Sequence, residues 1–180
     1  MRIKKEETVG LVIDIQDRLV AAMSEKEVLV KNSKILVEGL QALGVPTAFT
    51  QQYTKGLGDT VAELKDVVEG FSFIEKTDFS CCQVEEYAAW LKEQGKKNVV
   101  LCGIESHVCV LQTAIDLKEA GYNPIVVMDC VSSRTEANKA LAAERFRYEG
   151  IMMTSYESIL FELTGSAKAE GFKTISKLVK

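Results

Sequence analysis

Six short segments of this chain are apolar along most or all of their length, and they constrain the fold more than any other feature. They are residues 9–13 (VGLVI), 45–50 (VPTAFT), 71–74 (FSFI), 98–102 (NVVLC), 124–128 (PIVVM) and 151–153 (IMM). A strand with one wet face alternates apolar and polar residues, because successive side chains point to opposite sides. A strand apolar at successive positions is buried on both sides, which calls for a parallel sheet covered by helices above and below.

The intervening stretches supply those helices. Apolar residues recur at helical spacing over residues 28–43, which stop at Gly44, and over residues 84–93, closed by Gly95. The same spacing predicts helices over 109–120 and 135–148, ended by Gly121 and Gly150. Ser155 is placed to cap a further helix, and residues 167–180 read as an amphipathic tail. Strands alternating with helices give an α/β fold. The expected architecture is a three-layer doubly wound sandwich, Rossmann-like, with a six-stranded and mainly parallel sheet. Residues 51–70, with Gly56 and Gly58, form the longest irregular connection, one long enough to cover a site.

The chain of 180 residues shows no linker, repeat or low-complexity stretch, so residues 1–180 read as one domain. A hydrophobic share of 47% is enough to offset the ordering cost of such a domain. The net charge is −4, with Lys and Arg scattered among Asp and Glu. That pattern lacks the basic footprint of a nucleic-acid or membrane-surface binder. No apolar run approaches the ~20 residues of a membrane span. The first residues, MRIKKEETVG, are charged where a secretion signal is apolar. The five cysteines are odd in number and form no CxxC pair, as expected of free thiols in a reducing, cytoplasmic setting.

Ligands of open parallel sheets bind beyond the carboxyl ends of the strands. The first strand ends at Asp14, the third near Lys76, and the fourth runs through Gly103 towards Cys109. These ends bring a carboxylate, an ammonium and a thiol to one edge. A cysteine opening a helix sits at the positive end of the macrodipole, and a neighbouring ammonium adds to the pull towards thiolate. A carboxylate beside it can take the proton and pass it to a leaving group. Cys109 is therefore expected to be the one strongly activated thiol, opposed only by the like charge of Asp14. Each residue also has an ordinary alternative: a polar strand end for Asp14, a solvated surface lysine for Lys76, a small buried hydrophobe for Cys109. Cys102 and Cys130 are read as buried in strands, and Cys81 and Cys82 as packing residues.

Three motifs stand in order at these strand ends: LVIDIQ at 11–16, EKTDFS at 75–80 and GIESHVCV at 103–110. On these motifs the chain resembles the isochorismatase-like cysteine hydrolases, which include nicotinamidases and N-carbamoyl amidases, over residues 8–172. The resemblance implies a catalytic triad of Asp14, Lys76 and Cys109. It implies attack of the cysteine on a carbonyl or imidate carbon, an acyl-enzyme, and hydrolysis by water. It also implies a non-proline cis peptide at Ile104-Glu105, an oxyanion hole from the backbone amides of Glu105 and Cys109, and a homo-oligomer. The apolar positions Phe172, Ile175, Leu178 and Val179 of the tail offer a stripe for such a contact, or for packing on the chain's own core.

Two departures narrow the chemistry. Siderophore-pathway isochorismatases lack the cysteine nucleophile, so Cys109 argues against their reaction. Nicotinamidases bind a metal through an Asp-x-His motif after the second strand, where this chain reads Gln51-Gln52-Tyr53-Thr54. His107 is the single histidine, which rules out a histidine-rich metal site within one chain. The expected enzyme has neither metal nor other cofactor and cleaves a C–N bond of a small amide or carbamoyl substrate. Gln16, Tyr53, Phe79 and His107 are candidate substrate contacts. The competing readings are a non-catalytic oligomeric binding or scaffold protein, and a thiol redox protein using Cys109.

Overall fold

The computed structural model describes residues 1–180. Six strands form a single sheet: β1 (Thr8–Ile13), β2 (Thr47–Gln52), β3 (Ile74–Lys76), β4 (Asn98–Ile104), β5 (Asn123–Ser132) and β6 (Met152–Thr154). Their order is β3-β2-β1-β4-β5-β6, and every neighbouring pair is parallel. The helices are α1 (Asp17–Val20), α2 (Lys26–Ala42), α3 (Thr54–Leu57), α4 (Ala62–Lys65), α5 (Glu85–Gln94), α6 (Leu111–Glu119), α7 (Glu136–Tyr148), α8 (Tyr156–Thr164) and α9 (Phe172–Leu178). The expected α/β sandwich is the fold observed.

Side-chain alternation sorts the strand residues between two cores. Val9, Leu11 and Ile13 of β1 join Val99, Leu101 and Val126 on the face that meets α5, α6 and α7 through Tyr87, Leu91, Leu117 and Phe146. Val12, Val100, Ile125 and Val127 point to the other face, against Leu36 and Leu40 of α2 and Ile159 and Leu160 of α8. Burial on both faces is the reason these strands carry no polar alternation.

Several boundaries differ from the sequence expectation, each for a local reason. Strand β2 begins at Thr47, because the Val45 amide is used to close α2 by donating to Leu40 O at 2.9 Å. Strand β3 holds only Ile74–Lys76, because Phe71 leaves the edge and turns its ring onto Phe49, with centroids 5.2 Å apart. Strand β5 runs beyond Met128 to Ser132, across a register shift opposite β4 between Leu101 and Gly103. The tail forms only the short α9. Its Ile175 is fully buried against the α2 and α8 core, with Leu178 and Val179 packed beside it. That stripe therefore covers the chain's own core, with Phe172, Leu178 and Val179 left partly exposed.

Residues 53–70 fold back on the start of the chain through Val61 N–H to Ile15 O (3.0 Å) and Asp17 N–H to Asp59 O (3.0 Å). Ser155 caps α8 as expected, accepting from the Ser158 amide at 3.2 Å. Ser155→Ala is expected to lower stability by about 1 kcal/mol, the usual worth of such a cap. A urea titration measures it, and an unchanged midpoint would show the bond to be idle.

Candidate active site

The strand order reverses between β1 and β4, and the crevice beyond such a reversal is where ligands of these sheets bind. Two backbone features bring these two strand ends together. Asp14 takes a left-handed conformation (φ 53°), which aspartate tolerates better than most residues. Gly103 has φ 125°, and a Cβ there would lie 2.0 Å from Ile13 O, so only glycine permits this approach of β4 to β1. The Ile104-Glu105 peptide that follows is cis.

Asp14 and Lys76 meet at this edge. Lys76 Nζ lies 2.7 Å from Asp14 Oδ2, with both side chains fully buried. The ammonium directs its hydrogen bonds to Gln52 Oε1 (2.6 Å) and to the carbonyl oxygens of Asp78 (3.1 Å) and Phe79 (3.2 Å). Its contact with Oδ2 is an ion pair without hydrogen-bond geometry, and Oδ2 has no directed donor of its own. Oδ1 accepts from the Thr50 hydroxyl at 2.8 Å.

Cys109 lies close enough to the Asp14 carboxyl for each to perturb the other's titration. It sits in a π-turn, Ser106–Val110, that runs directly into α6 at Leu111. The helical run thus starts three residues earlier than expected. The amides of Val108 and Val110 both donate to Glu105 O, at 3.0 and 3.2 Å.

Electrostatics set the resting protonation. Burial pulls the Lys76 ammonium down, but the Asp14 carboxylate outweighs it, joined by Cys109 and Cys81 once they ionise, and Lys76 is held above its ordinary value. Burial lifts the Asp14 carboxyl above its usual range even against the Lys76 charge. Burial also pushes the Cys109 thiol up to about 12, with Asp14 adding to the rise and Lys76 opposing it. Burial thus favours the thiol form of Cys109, and Asp14 is the ion-pair partner of Lys76. Burial likewise pushes Cys81, Cys82 and Cys102 up to about 12. Cys81 and Cys109 differ from Cys82 and Cys102 in lying close to the Asp14–Lys76 pair, and of the two Cys109 is the more exposed (7% against 0%).

The remaining predicted residues separate clearly. Gln16 is fully buried, with its amide committed to Gln52 O (3.1 Å), Gly58 O (2.7 Å) and the Gln52 amide (2.7 Å). It holds the covering segment in place and has little left for a substrate. His107 Nδ1 lies 3.0 Å from Ser133 Oγ, so the ring is turned to the loop after β5. Glu105 joins the same loop through an ion pair with Arg134 at 3.2 Å. Tyr53 and Phe79 are about half exposed. The Tyr53 amide donates to Lys76 O at 2.9 Å and the Phe79 carbonyl accepts from Lys76 Nζ, so both aromatics are anchored to the site's lysine. Sequence reasoning missed Thr50 and Gln52. No signal in the sequence marked them, because their place between the strands carrying Asp14 and Lys76 comes from the strand order.

No cluster of three or more His, Cys, Asp or Glu side chains is arranged to hold a metal ion. No helix is long and apolar enough to cross a membrane. Two clefts of about 410 and 470 Å³ lie beside Trp90 and beside Lys34, and neither is lined by Asp14, Lys76 or Cys109.

The isochorismatase domain family matches residues 8–158. The secreted isochorismatase effector Isc1 of Phytophthora sojae is 38% identical over 184 residues, covering 99% of this chain and 87% of that protein. The structure of MAR1 ribonuclease from Caenorhabditis elegans superposes with a TM-score of 0.94 at 36% identity, covering 99% of this chain and 92% of that one. The YcaC gene product of Escherichia coli, described as an octameric hydrolase of unknown specificity, shares the fold with a TM-score of 0.93 at 23% identity, covering 99% and 90% of the two chains.

Proposed function

The chain belongs to the isochorismatase family, and on that premise we propose that it is a cysteine hydrolase that cleaves a C–N bond of a small amide or carbamoyl compound. The observation that carries this reading is the meeting of Asp14, Lys76 and Cys109 from three strand ends, with the ion pair at 2.7 Å. A scaffold protein has no use for a buried ion pair beside a thiol, since such a pair recovers its desolvation only in part.

The proton moves from Cys109 Sγ to Asp14 as sulfur attacks the carbonyl carbon. Lys76 steadies the anionic charge that the two groups share throughout the transfer. The amides of Glu105 and Cys109 hold the oxyanion; those of Val108 and Val110 are already committed to Glu105 O. The tetrahedral adduct collapses, the C–N bond breaks, and Asp14 returns the proton to the leaving nitrogen. Water then attacks the thioester, loses a proton to Asp14, and releases the acid as the thiol re-forms. Tyr53 and Phe79 are assigned to the mouth of the site as substrate contacts.

The name of the C. elegans relative raises RNA as a substrate. The net charge of −4 and the pairing of Lys76 with Asp14 leave little positive potential for a phosphate backbone, and the amide reading is preferred. We place the protein in the cytoplasm as one domain and as a homo-oligomer, the kind of assembly stated for the E. coli protein.

Intact-mass spectrometry of the protein quenched in acid after mixing with a panel of small amides, ureas and carbamoyl compounds tests the reading. The expected result is an acyl adduct on the Cys109 peptide, formed equally well with a chelator present. Turnover of a panel member with no adduct, or an adduct on another cysteine, would overturn it.

A further inference from the structure

Thr50 holds Asp14 at two points. Its carbonyl accepts from the Asp14 amide at 3.3 Å, and its hydroxyl donates to Asp14 Oδ1 at 2.8 Å. The hydroxyl is buried, with the whole residue 2% exposed. With Oδ1 occupied, the carboxylate presents Oδ2, the oxygen without a directed donor, to Lys76. That oxygen is the one left to receive a proton.

Taking the hydrolase reading above as its basis, we propose that Thr50 is a positioning residue, whose hydroxyl fixes the rotation of the Asp14 carboxylate and keeps it in the ionised, proton-accepting form. The Thr50 oxygen in turn accepts from Cys81 Sγ at 3.9 Å. The Cys81 amide donates to Thr113 Oγ1 at 3.0 Å, and Thr113 lies one helical turn beyond Cys109. A continuous set of contacts thus joins the base to the helix that carries the nucleophile. This gives the buried Cys81, otherwise a packing residue, a place in the same network.

The titratable groups facing Asp14 are Lys76 from β3, Cys109 from the π-turn and Cys81 beyond β3. Burial pushes both thiols up to about 12, so at neutral pH Lys76 is the only charged one of the three. A hydrogen bond donated to a carboxylate favours its charged form. Removing it lets Asp14 hold its proton to higher pH, with no second ionised neighbour to mask the change.

The test is the pH profile of Cys109 alkylation by iodoacetamide, read by peptide mass mapping, in the wild type, Thr50→Val and Thr50→Ser. Valine keeps the shape and β-branching of threonine without the hydroxyl. The expected result is an acid limb moved up by about one pH unit in Thr50→Val, equivalent to about 1.4 kcal/mol. Thr50→Ser should return the limb to its wild-type position, which a general loss of packing would not do. In an Asp14→Asn background, Thr50→Val should add no further shift. Should Cys109 alkylation depend on Asp14 while the Thr50→Val profile matches the wild type, the Thr50 assignment falls alone. Should wild-type Cys109 show no dependence on Asp14, the hydrolase reading falls with it.

Discussion

Cys109→Ala is expected to lower hydrolysis of the best amide substrate by about 10⁴-fold or more, the scale lost when the nucleophile of a covalent mechanism is removed. The physical reason lies in the division of labour at the site. Asp14 and Lys76 can polarise a bound amide or water without the thiol, but neither can form the acyl-enzyme that splits one hard step into two easier ones. The fold should tolerate the change. Cys109 sits at the edge of the α5–α7 core with a trace of exposure (7%), and alanine removes one sulfur from that edge. Thermal melting of the variant should therefore remain cooperative and close to wild type. Cys109→Ser is expected to be nearly as inactive, because an alcohol gives up its proton to a carboxylate far less readily than a thiol does. The measurement is turnover of the substrate identified by adduct screening, with a limit of detection below 10⁻⁴ of the wild-type rate. A Cys109→Ala protein that keeps the wild-type rate would exclude the cysteine mechanism and make Asp14 the group to examine, as the base for a direct attack by water.

The fold was legible because both-face burial leaves an unambiguous mark. Runs such as VGLVI and NVVLC have no amphipathic reading, and once they are parallel strands the crevice beyond their carboxyl ends follows. Asp14, Lys76 and Cys109 were singled out by that route because each ends or follows such a run. Residues whose role depends on tertiary contact were not legible. Thr50 read as the last residue of the second strand and Gln52 as part of the connection after it, and only strand order shows that β2 lies between β1 and β3, so that their side chains meet Asp14 and Lys76. Gln16 failed in the opposite direction. Its polarity beside Asp14 suggested a substrate contact, but the fold uses the amide to tie residues 52 and 58 to the start of α1. Protonation was also hidden. The spacing leaves the proton's place open between Asp14 and the Cys109 thiol, and burial, which sequence spacing does not report, pushes the thiol up against the pull of Lys76.

Lys76→Met is expected to destabilise the protein by about 3–5 kcal/mol at pH 8, the range for breaking a buried pair by removing one partner. Methionine matches the unbranched stem, so the loss is chiefly electrostatic. Asp14 is left buried without its counter-charge, and Gln52 Oε1 and the carbonyl oxygens of Asp78 and Phe79 lose their donor. The loss should depend on pH in a defined direction. In the unfolded chain Asp14 titrates near its ordinary value of about 4. In the folded wild type burial already raises it, against the opposing charge of Lys76. Without Lys76 that opposition is gone, and the folded value climbs further. Between the two values the folded variant holds a proton that the unfolded chain releases, so stability falls as pH rises through that window. Lys76 itself contributes no slope there. Its folded value lies above 10.5, so its contribution is fully present below that pH and is lost only as pH rises through the folded value. The difference between variant and wild type should therefore be clearly smaller at pH 5 than at pH 8. Adding Asp14→Asn should recover much of the stability at pH 8 by removing the stranded charge. Urea titrations followed by Trp90 fluorescence at both pH values give the comparison. A loss equal at pH 5 and pH 8, or no recovery in the double variant, would show that the ion pair is not what Lys76 contributes to the fold.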